Sequence, residues 1–339
     1  MAPQRHSLGS RDSCLVVSYH YVRDASVTVF PHLRTLHPAD FEQQITTLER
    51  DGTIIDYEGF LAALAGDRPL NGPSALLTFD DGLIDHYRTV LPQLAARGHR
   101  GVFFISPGSN APAPRVLNVQ KVQLLVAQLG ERLWEEVDAA LAVVSPGLAT
   151  EAPHDSLYRY DSAAVRRVKQ LLNYTLPLEI ADALLGKLFG SSIGDEAEIA
   201  RELYLTPAMI REMADAGMTF GYHTRDHRVL SRLPLDEQRA QLEDGVEWIQ
   251  GLTGQTSVPF CYPHGHAHAY TQDTVRLVRE CGYSMAFTAV RGTSLPSTDS
   301  RFEVSRLDTR DVPSAETDAH TAVTKASPSG RVAWSAGGR

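Results

Sequence analysis

Hydrophobic and polar positions follow two different periods along this chain. Short apolar runs rich in β-branched and aromatic residues are typical of buried strands, and apolar residues three and four positions apart are typical of helices. Residues 74–79 form a run of the first kind, and a helical pattern follows at 85–97. Because strand and helix patterns alternate in this way along most of the chain, the sequence predicts a mainly parallel α/β sheet with helices outside it.

The same alternation predicts an irregular (β/α) barrel of about seven or eight strands. The predicted strands cover 14–19, 52–55, 74–79, 101–105, 218–222, 258–262, 284–289 and 302–307. The predicted helices around them cover 38–50, 57–65, 85–97, 207–217, 235–252 and 271–281.

The alternation stops after Ser106. A proline-rich stretch at 107–114 is followed by helical patterns alone, clearest at 119–129, 131–144, 163–172 and 178–189. Because structureless loops of this length are uncommon in compact domains, we expect a helical insertion at about 107–204 within a barrel domain of residues 14–311. The insertion either covers the mouth of a site as a lid or mediates a homodimer, and the sequence leaves both open. Polar composition predicts that residues 1–13 and 312–339 are disordered.

Composition narrows the possible functions. The chain has 339 residues, of which 43% are hydrophobic and 22% are charged, as in ordinary globular proteins. The formal net charge of −9 and the lack of a basic stripe argue against a nucleic-acid partner. The cysteines, Cys14, Cys261 and Cys281, have neither the number nor the spacing of a disulfide framework or a zinc cluster. The N-terminal segment has no apolar leader, so we expect a cytoplasmic protein without a membrane span.

The strand at 74–79 ends in two adjacent carboxylates and a glycine, Asp80, Asp81 and Gly82. In α/β folds the side chains at the carboxyl ends of parallel strands face the ligand crevice. Two neighbouring aspartates repel each other there unless a cation or a proton lies between them. A purely structural alternative is a helix N-cap and a turn carboxylate, because Asp is favoured at both positions.

A histidine pair follows a later predicted strand. His223 and His227 lie four residues apart, where a helical turn would direct both rings to the same side. Two imidazoles hold one divalent ion at this spacing, and two solvated histidines are the structural alternative. With one of the two aspartates, the pair would form a three-ligand site that leaves room for a water. The other aspartate would then be free to take a proton from that water.

In this order, the motifs resemble those of the polysaccharide deacetylase family, also called the NodB homology domain or carbohydrate esterase family 4. The family pattern is matched by residues 78–82 (Thr-Phe-Asp-Asp-Gly) and by His223 and His227. Residues 260–265 (Phe-Cys-Tyr-Pro-His-Gly) are similar to the family's third motif, commonly Phe-Ala-Tyr-Pro-Tyr-Gly. The resemblance covers roughly residues 14–105 and 204–308, and it implies a NodB-like deacetylase barrel.

The resemblance implies a role for each matched residue. Asp80 would be the general base. Asp81, His223 and His227 would hold one divalent ion, expected to be Zn²⁺ with Co²⁺, Ni²⁺ or Fe²⁺ as alternatives, and a water on that ion would attack an acetamide carbonyl. A permuted branch, similar to the poly-N-acetylglucosamine deacetylases, has its histidine acid in a Tyr-His-x-Val string on the first strand. That string points to His20 here, for which a packed strand-end residue is the alternative.

The third motif departs from the family pattern at two positions. Cys261 stands where the family often has an arginine that orients the catalytic aspartate, and Arg306 at the end of the last predicted strand is the candidate substitute. His264 replaces the usual tyrosine, and its backbone N–H remains able to hold the oxyanion. Tyr262 and Pro263 complete the predicted substrate and oxyanion site.

These implications predict a metal-dependent N-deacetylase in a barrel with an inserted helical subdomain. Its partner would be an N-acetylated carbohydrate, such as a glycan, a sugar nucleotide, a glycolipid or a glycosylated metabolite. Two alternatives stay open. The same fold hosts amidases and ureide hydrolases that cleave a non-sugar C–N bond, and a catalytically silent carbohydrate-binding barrel would keep the fold without the metal.

Overall fold

The computed structural model describes residues 14–28, 30–144, 161–292 and 301–312. The segments 1–13 and 312–339, which the sequence predicts to be disordered, lie outside the described residues. The exception is Val312, which is described and buried. The centre of the predicted insertion, at 145–160, also lies outside them. Within the described ranges, no helix combines the length and the apolar character needed to cross a membrane.

Parallel strands form the centre of the described part of the chain. They are β1 (Cys14–Tyr19), β2 (Thr53–Ile54), β3 (Ser74–Phe79), β4 (Val102–Ile105), β5 (Thr219–Tyr222), β6 (Phe260–Cys261), β7 (Ala286–Phe287) and β8 (Leu307–Asp308). Their order across the sheet is β7-β6-β5-β4-β3-β1-β8, and β2 pairs only with the start of β3. Every pairing between these strands is parallel.

Helices connect the strands and surround them. Those before β5 are α1 (Pro38–Asp51), α2 (Tyr57–Ala65), α3 (Leu91–Ala96), α4 (Pro107–Asn110), α5 (Asn118–Leu129), α6 (Leu133–Val144), α7 (Ala163–Gln170), α8 (Leu178–Ser192), α9 (Glu196–Leu203) and α10 (Pro207–Asp215). After β5 come α11 (Leu235–Leu242), α12 (Gly245–Thr253) and α13 (Gln272–Glu280). Two π-helical turns, His86–Val90 and Leu171–Thr175, precede α3 and follow α7.

The segment that leads into β8 joins the two ends of the sheet. Val304 pairs in parallel with Phe287 of β7, and Leu307 of β8 pairs in parallel with Val17 of β1. The sheet therefore curls into a ring in which β8 and the residues before it stand between β7 and β1. This arrangement confirms the predicted irregular (β/α) barrel.

Alternation of side chains along the strands separates an inner from an outer side. Val16, Leu76 and Phe104 share one buried apolar cluster. Phe104 contacts Phe287, with ring centroids 5.5 Å apart, although their strands are not neighbours in the sheet. This side of the strands therefore faces the interior of the ring, where Phe60 of α2 also packs. The opposite side packs against the surrounding helices in a larger cluster.

The long helix predicted at 235–252 is wrong, because the chain forms two helices there. The hydroxyl of Tyr283 donates a 2.7 Å hydrogen bond to the carbonyl of Leu242, the last residue of α11. Gly245 begins α12 against Tyr222 and Tyr283, and a Cβ at this position would overlap the ring of Tyr222 and the hydroxyl of Tyr283. The break therefore lets the helix pair follow the barrel surface closely.

The stretch predicted as a loop at 107–114 begins with the short helix α4, which supports the turn after β3. Asn110 donates hydrogen bonds from Nδ2 to the carbonyls of Gly82 (2.9 Å) and Leu205 (3.1 Å). Gly82 has a φ of +59°, and a Cβ there would overlap the Asn110 amide. Glycine is therefore required directly after the two aspartates.

Between β4 and α10 the described residues form helices α4 to α9, in the range where the sequence predicts an insertion. α9 is an addition to the predicted helices. These helices bury an apolar cluster of their own that includes Val122, Leu125, Leu141, Leu172 and Leu185. The cluster lies apart from the inner and outer clusters of the barrel, so α5 to α8 pack primarily on each other.

Candidate active site

At one end of the barrel, beyond its apolar interior, polar side chains occupy the inward-facing positions of the strands. Asp80 follows β3 in phase with Leu76, and His223 follows β5. His20 follows β1, and Arg306 precedes β8 in phase with Val304. Because side chains alternate along a strand, residues at these positions point to the same end of the barrel. The strand ends therefore bring together residues that are far apart in the sequence.

Asp81, His223 and His227 face one another at this end of the barrel. The Nε2 atoms of His223 and His227 lie 3.7 and 3.4 Å from Oδ1 of Asp81. Each residue offers a potential ligand atom within 4.8 Å of the other two. All three side chains are buried. The structure thus assembles the ligand set that the sequence resemblance implies.

The helical turn predicted between the two histidines is wrong. Residues 223–229 form an irregular loop, in which Thr224 and His227 have φ values of +64° and +53°. This left-handed backbone brings the His227 ring within 4.6 Å of the His223 ring, measured between centroids. Asp81, with a φ of +74°, shares the conformation. L-residues seldom adopt it, and such strain is concentrated at functional sites.

The hydrogen bonds around Asp81 and His223 fit a bound cation. Oδ1 of Asp81 is buried and has no hydrogen-bond partner among the described residues. Nδ1 of His223 lies 2.7 Å from the carbonyl oxygen of Cys261, so it donates there and leaves the Nε2 lone pair available. An unpaired buried acceptor is unfavourable by itself. One carboxylate oxygen facing two imidazole nitrogens is a donor set suited to Zn²⁺ and related ions.

The protonation states of these residues also fit a cation. Burial lowers the pKa of His223 and of His227 below the ordinary value of 6.5. Both imidazoles are therefore neutral at neutral pH, as metal binding requires. Burial raises the pKa of Asp81 above its ordinary value of 3.8, against an opposing effect of His20 and His223. A cation beside Asp81 would favour its ionised form.

A second set of potential ligands, Asp80, His223 and Cys261, fits a cation less well. The guanidinium of Arg306 already occupies both oxygens of Asp80 and lies 3.1 Å from Sγ of Cys261. Burial raises the pKa of Cys261 well above its ordinary value, so the sulfur remains a thiol. A positive charge and a protonated thiol both oppose a metal ion at this place.

Arg306 and Asp80 form a bidentate ion pair inside the barrel. Nη1 and Nη2 of Arg306 donate to the two Asp80 oxygens over 2.8 and 2.7 Å, and Nη1 also donates to Thr78 over 3.1 Å. Burial raises the pKa of Asp80, but the charge and hydrogen bonds of Arg306 outweigh it and hold that pKa below the ordinary value. Arg306 thus occupies the place next to the aspartate that the sequence suggests for it.

His20 lies on the other side of Asp80. Its Nε2 is 3.8 Å from Oδ2 of Asp80, and 42% of its side chain is exposed. The backbone carbonyl of His20 lies 3.0 Å from Nε2 of the buried His86, which fixes the chain at the end of β1. A half-exposed imidazole next to a fixed carboxylate can exchange protons with a ligand in the cavity.

Besides Arg306, the three residues of the third motif that are predicted for the substrate and oxyanion site have different surroundings. Tyr262 is buried, and its backbone N–H and its hydroxyl donate to Phe287 and Phe302. The N–H of His264 donates no hydrogen bond among the described residues, and its φ of +60° places it on a left-handed turn after Pro263. His264 is therefore the one of the three with a donor left for a ligand.

Gln120 and Tyr174 of the insertion form hydrogen bonds to residues at this end of the barrel. Gln120 of α5 is fully buried and donates from Nε2 to Oδ2 of Asp81 over 2.7 Å. Tyr174, in the π turn after α7, is hydrogen-bonded through its hydroxyl to Nε2 of His266. Neither Gln120 nor Tyr174 belongs to a sequence motif, and their contacts cross from the insertion to the barrel. The sequence therefore contains no local signal that points to either residue.

Two adjoining cavities open onto these residues. The larger, of about 480 Å³, contains Asp80, Asp81, His223 and His227 in its wall. The smaller, of about 330 Å³, is lined in part by the insertion. Their shared wall consists of His20, Asp308 and Arg310. Both volumes are typical of small-molecule sites.

Comparison with known proteins finds a family model and a curated relative that match part of the chain. Residues 186–286 match the family model described as polysaccharide deacetylase. YxkH of Bacillus subtilis (strain 168), which is named as a polysaccharide deacetylase, is 27% identical over 107 residues. That match spans 32% of this chain and 35%, or about a third, of the length of YxkH.

Solved structures share the fold along most of the chain. The Streptococcus pyogenes deacetylase PplD, in complex with acetate, has a TM-score of 0.55 and 15% identity over 94% of this chain and 100% of that one. IcaB from Ammonifex degensii has a TM-score of 0.53 and 18% identity over 92% and 96% of the two chains. The deacetylase domain of BpsB from Bordetella bronchiseptica has a TM-score of 0.52 and 20% identity over 88% and 96%.

These likenesses agree with the motifs in the sequence. The matched residues 186–286 include both histidines and the third motif, and the shared barrel places the Asp80–Asp81 turn beside them. Residues 186–286 are therefore similar to the polysaccharide deacetylase family, and the fold of the chain is that of solved deacetylase structures.

Proposed function

We propose that this protein is a metal-dependent N-deacetylase that hydrolyses the acetamide of an N-acetylated amino sugar. The observation that carries the proposal is the buried, unpaired Oδ1 of Asp81, which faces the Nε2 atoms of His223 and His227. Directly beside it, Arg306 holds Asp80 ionised. This combination provides a cation site and an adjacent proton acceptor, the two requirements of metal-assisted amide hydrolysis.

Asp81, His223 and His227 would hold the ion, with Zn²⁺ as the first choice and Co²⁺, Ni²⁺ or Fe²⁺ as alternatives. When bound, such an ion acts as a Lewis acid toward the carbonyl oxygen and makes water more acidic. Asp80 accepts the proton that the attacking water loses. The two hydrogen bonds from Arg306 hold the Asp80 carboxylate in one orientation, so no rearrangement is needed when the proton arrives.

Breakdown of the tetrahedral intermediate requires a proton on the departing amine nitrogen. His20 is suited to this role, because its Nε2 lies 3.8 Å from Asp80 and its ring borders both cavities. The N–H of His264 is suited to hold the oxyanion, because no described residue accepts its hydrogen bond and His264 lines the larger cavity. Tyr262 also lines this cavity, and Pro263 leads into the turn that contains His264.

An extended carbohydrate fits the two adjoining cavities better than an isolated acetamide would. The larger cavity holds the proposed catalytic groups, and the smaller one continues past His20 toward α5 and α7. A sugar whose acetamido group lies near Asp80 has space beyond it for a second substituent. The insertion therefore forms part of the wall around the proposed substrate. Dimerisation through its outer surface stays a prediction.

An acetate-release screen tests the proposal. The purified protein is incubated with N-acetylated sugar nucleotides, glycolipids, chitooligomers and glycosylated metabolites, each with and without a chelator. A parallel set contains ureides and non-sugar amides. We expect acetate from at least one carbohydrate, loss of this activity with the chelator, and recovery when Zn²⁺ is restored. The Asp80→Asn variant serves as the catalytically inactive control.

Other outcomes would contradict the proposal in distinct ways. Hydrolysis of ureides or simple amides without acetate release from any carbohydrate would favour the amidase alternative. Carbohydrate binding without metal and without turnover would favour the silent binding barrel. Acetate release that is insensitive to the chelator would remove the metal from the mechanism.

A further inference from the structure

The carboxylate of Asp81 is held by a hydrogen-bond chain that starts in the insertion. Gln120 of α5 donates from Nε2 to Oδ2 of Asp81 over 2.7 Å. Its Oε1 accepts a 3.1 Å hydrogen bond from the hydroxyl of Tyr204. Gln120 and Tyr204 are both buried, at 0% and 2% exposure, so solvent does not compete for these contacts.

Tyr204 determines which end of the Gln120 amide faces Asp81. The Tyr204 oxygen accepts the backbone N–H of Leu117 over 3.1 Å, so its own proton is free to be donated to Oε1 of Gln120. The reverse amide orientation would place two acceptors, Oε1 of Gln120 and Oδ2 of Asp81, against each other. Hydrogen-bond donation therefore has one favourable direction here, from Leu117 through Tyr204 and Gln120 to Asp81.

In this arrangement the two carboxylate oxygens of Asp81 have different partners. Oδ2 accepts the hydrogen bond of Gln120, and Oδ1 faces His223 and His227 at 3.7 and 3.4 Å. Rotation of the carboxylate would break the bond to Gln120. The backbone of the same turn is held from the insertion side as well, because Leu205 donates to the carbonyl of Gly82 over 2.8 Å.

We infer that Gln120 is a positioning residue for the proposed metal site and that Tyr204 sets its orientation. The helical insertion is then part of this site. The inference rests on the proposed function, since it assigns the supporting contacts of the same ion. Partners that orient a ligand in this way contribute strongly to metal affinity, and their removal typically weakens it about 10–100-fold.

Direct Zn²⁺ titration of the chelator-treated protein tests the inference without any assay of activity. Zn²⁺ is titrated in competition with a chromophoric chelator, for the parent protein and for Gln120→Met, which has a similar volume and no donor. We expect the Kd for Zn²⁺ to rise by about 10–100-fold in Gln120→Met. The matched control is Gln123→Met on the same helix, whose side chain lies away from Asp81 in the smaller cavity, and it should bind Zn²⁺ like the parent.

A second variant separates positioning from a general effect on folding. Tyr204→Phe removes one hydroxyl and should weaken Zn²⁺ binding less than Gln120→Met does. Because Tyr204 acts through Gln120, the double variant should bind Zn²⁺ no more weakly than Gln120→Met alone. Additive losses would instead indicate two independent packing defects. Circular dichroism and thermal melting of the metal-free variants report their folding, and if Gln120→Met fails to fold, Tyr204→Phe decides the question.

The failure of this inference can be told apart from failure of the proposed function. If His223→Ala loses Zn²⁺ while Gln120→Met and Tyr204→Phe bind it like the parent, only the role of the insertion is overturned. If the parent protein itself does not bind Zn²⁺, Co²⁺, Ni²⁺ or Fe²⁺, both are overturned.

Discussion

Arg306 and Asp80 are 226 residues apart in the sequence and meet through two parallel hydrogen bonds of 2.8 and 2.7 Å. Their contact depends on closure of the ring, because β8 pairs with β1 and β1 pairs with β3. The guanidinium is 3% exposed, and it also lies against Thr78 and Cys261. A planar fork is the group best suited to fix a carboxylate in one orientation.

The geometry of this pair predicts the effect of Arg306→Lys. The lysine keeps the charge but loses the fork, so Asp80 should become mobile and turnover should fall on the order of 100-fold. Bound Zn²⁺ should stay at the parent level. Steady-state kinetics and elemental analysis check both expectations. The control is Arg23→Lys, which alters a buried ion pair with Asp85 away from the cavity. Equal kinetics for the two variants would contradict the proposal that Arg306 orients Asp80.

Asp80→Asn separates proton transfer from metal binding. The amide keeps the shape of the side chain but cannot accept the proton of water, so kcat should fall by about 10²–10⁴-fold. Because Asp80 is not among the proposed ligands, the metal content should equal that of the parent protein. The measurement combines acetate-release kinetics with elemental analysis. Turnover at the parent rate would remove Asp80 as the base.

Loss of a proposed ligand should release the ion. His223→Ala removes one of the two imidazoles and leaves the Asp81 carboxylate with a single histidine, so Zn²⁺ should be lost during dialysis. Elemental analysis after gel filtration measures the remaining occupancy. The exposed His268, changed to Ala, serves as the matched histidine control. Full occupancy in His223→Ala would show that the ion is held elsewhere.

The proposed acid, His20, can be tested through the leaving group. His20→Ala should slow hydrolysis of an N-acetyl sugar by about 10²–10⁴-fold, because the amine leaves poorly without a proton. An acetanilide with an electron-withdrawing ring needs less protonation, so its hydrolysis should slow much less. Rates for both substrates in parent and variant provide the comparison. An equal loss for both substrates would argue that His20 packs the strand end and does not act as an acid.

Buried His86 predicts a pH dependence of stability. Burial lowers the pKa of His86 from 6.5 to about 3, and its ring packs against both Phe79 and Phe103, which stack on each other. The unfolded chain therefore binds this proton first as the pH falls. The contribution of His86 to stability is complete above about pH 6.5 and is lost progressively toward pH 3, on the order of 5 kcal/mol in total.

Urea unfolding of the metal-free protein at several pH values between these limits measures this dependence. In His86→Gln the free energy of unfolding should change less steeply with pH than in the parent. The exposed His32, changed to Gln, is the control. The same slope in His86→Gln and in the parent would show that another group is responsible for the acid sensitivity.

Much of the barrel and of the site could be predicted from local patterns. The period of the apolar residues indicates where each strand ends, and the end of a parallel strand is where a ligand-facing side chain lies. Asp80, Asp81 and His223 stand at such positions, so their approach follows from the strand pattern once the barrel is assumed. Arg306 has the same inward phase as Val304, a signal that was available in the sequence.

Other features depend on contacts that no local pattern contains. The left-handed backbone at Thr224 and His227 replaces the predicted helical turn, because the loop must return His227 over His223. Gln120 is one of several polar residues on α5. Only the packing of the insertion against the barrel brings it to Asp81. Helical period predicts which residues share a face, but it does not predict what that face contacts.

The alternation of strands and helices, and the strand ends at which the reactive side chains stand, can be predicted from the amino-acid sequence because they follow from the periods of short segments. The way in which those ends meet depends on the three-dimensional fold. Closure of the ring through β8 brings Arg306 to Asp80, and docking of the insertion brings Gln120 to Asp81. Both contacts join segments distant along the chain, and their geometry depends on the packing of the whole molecule.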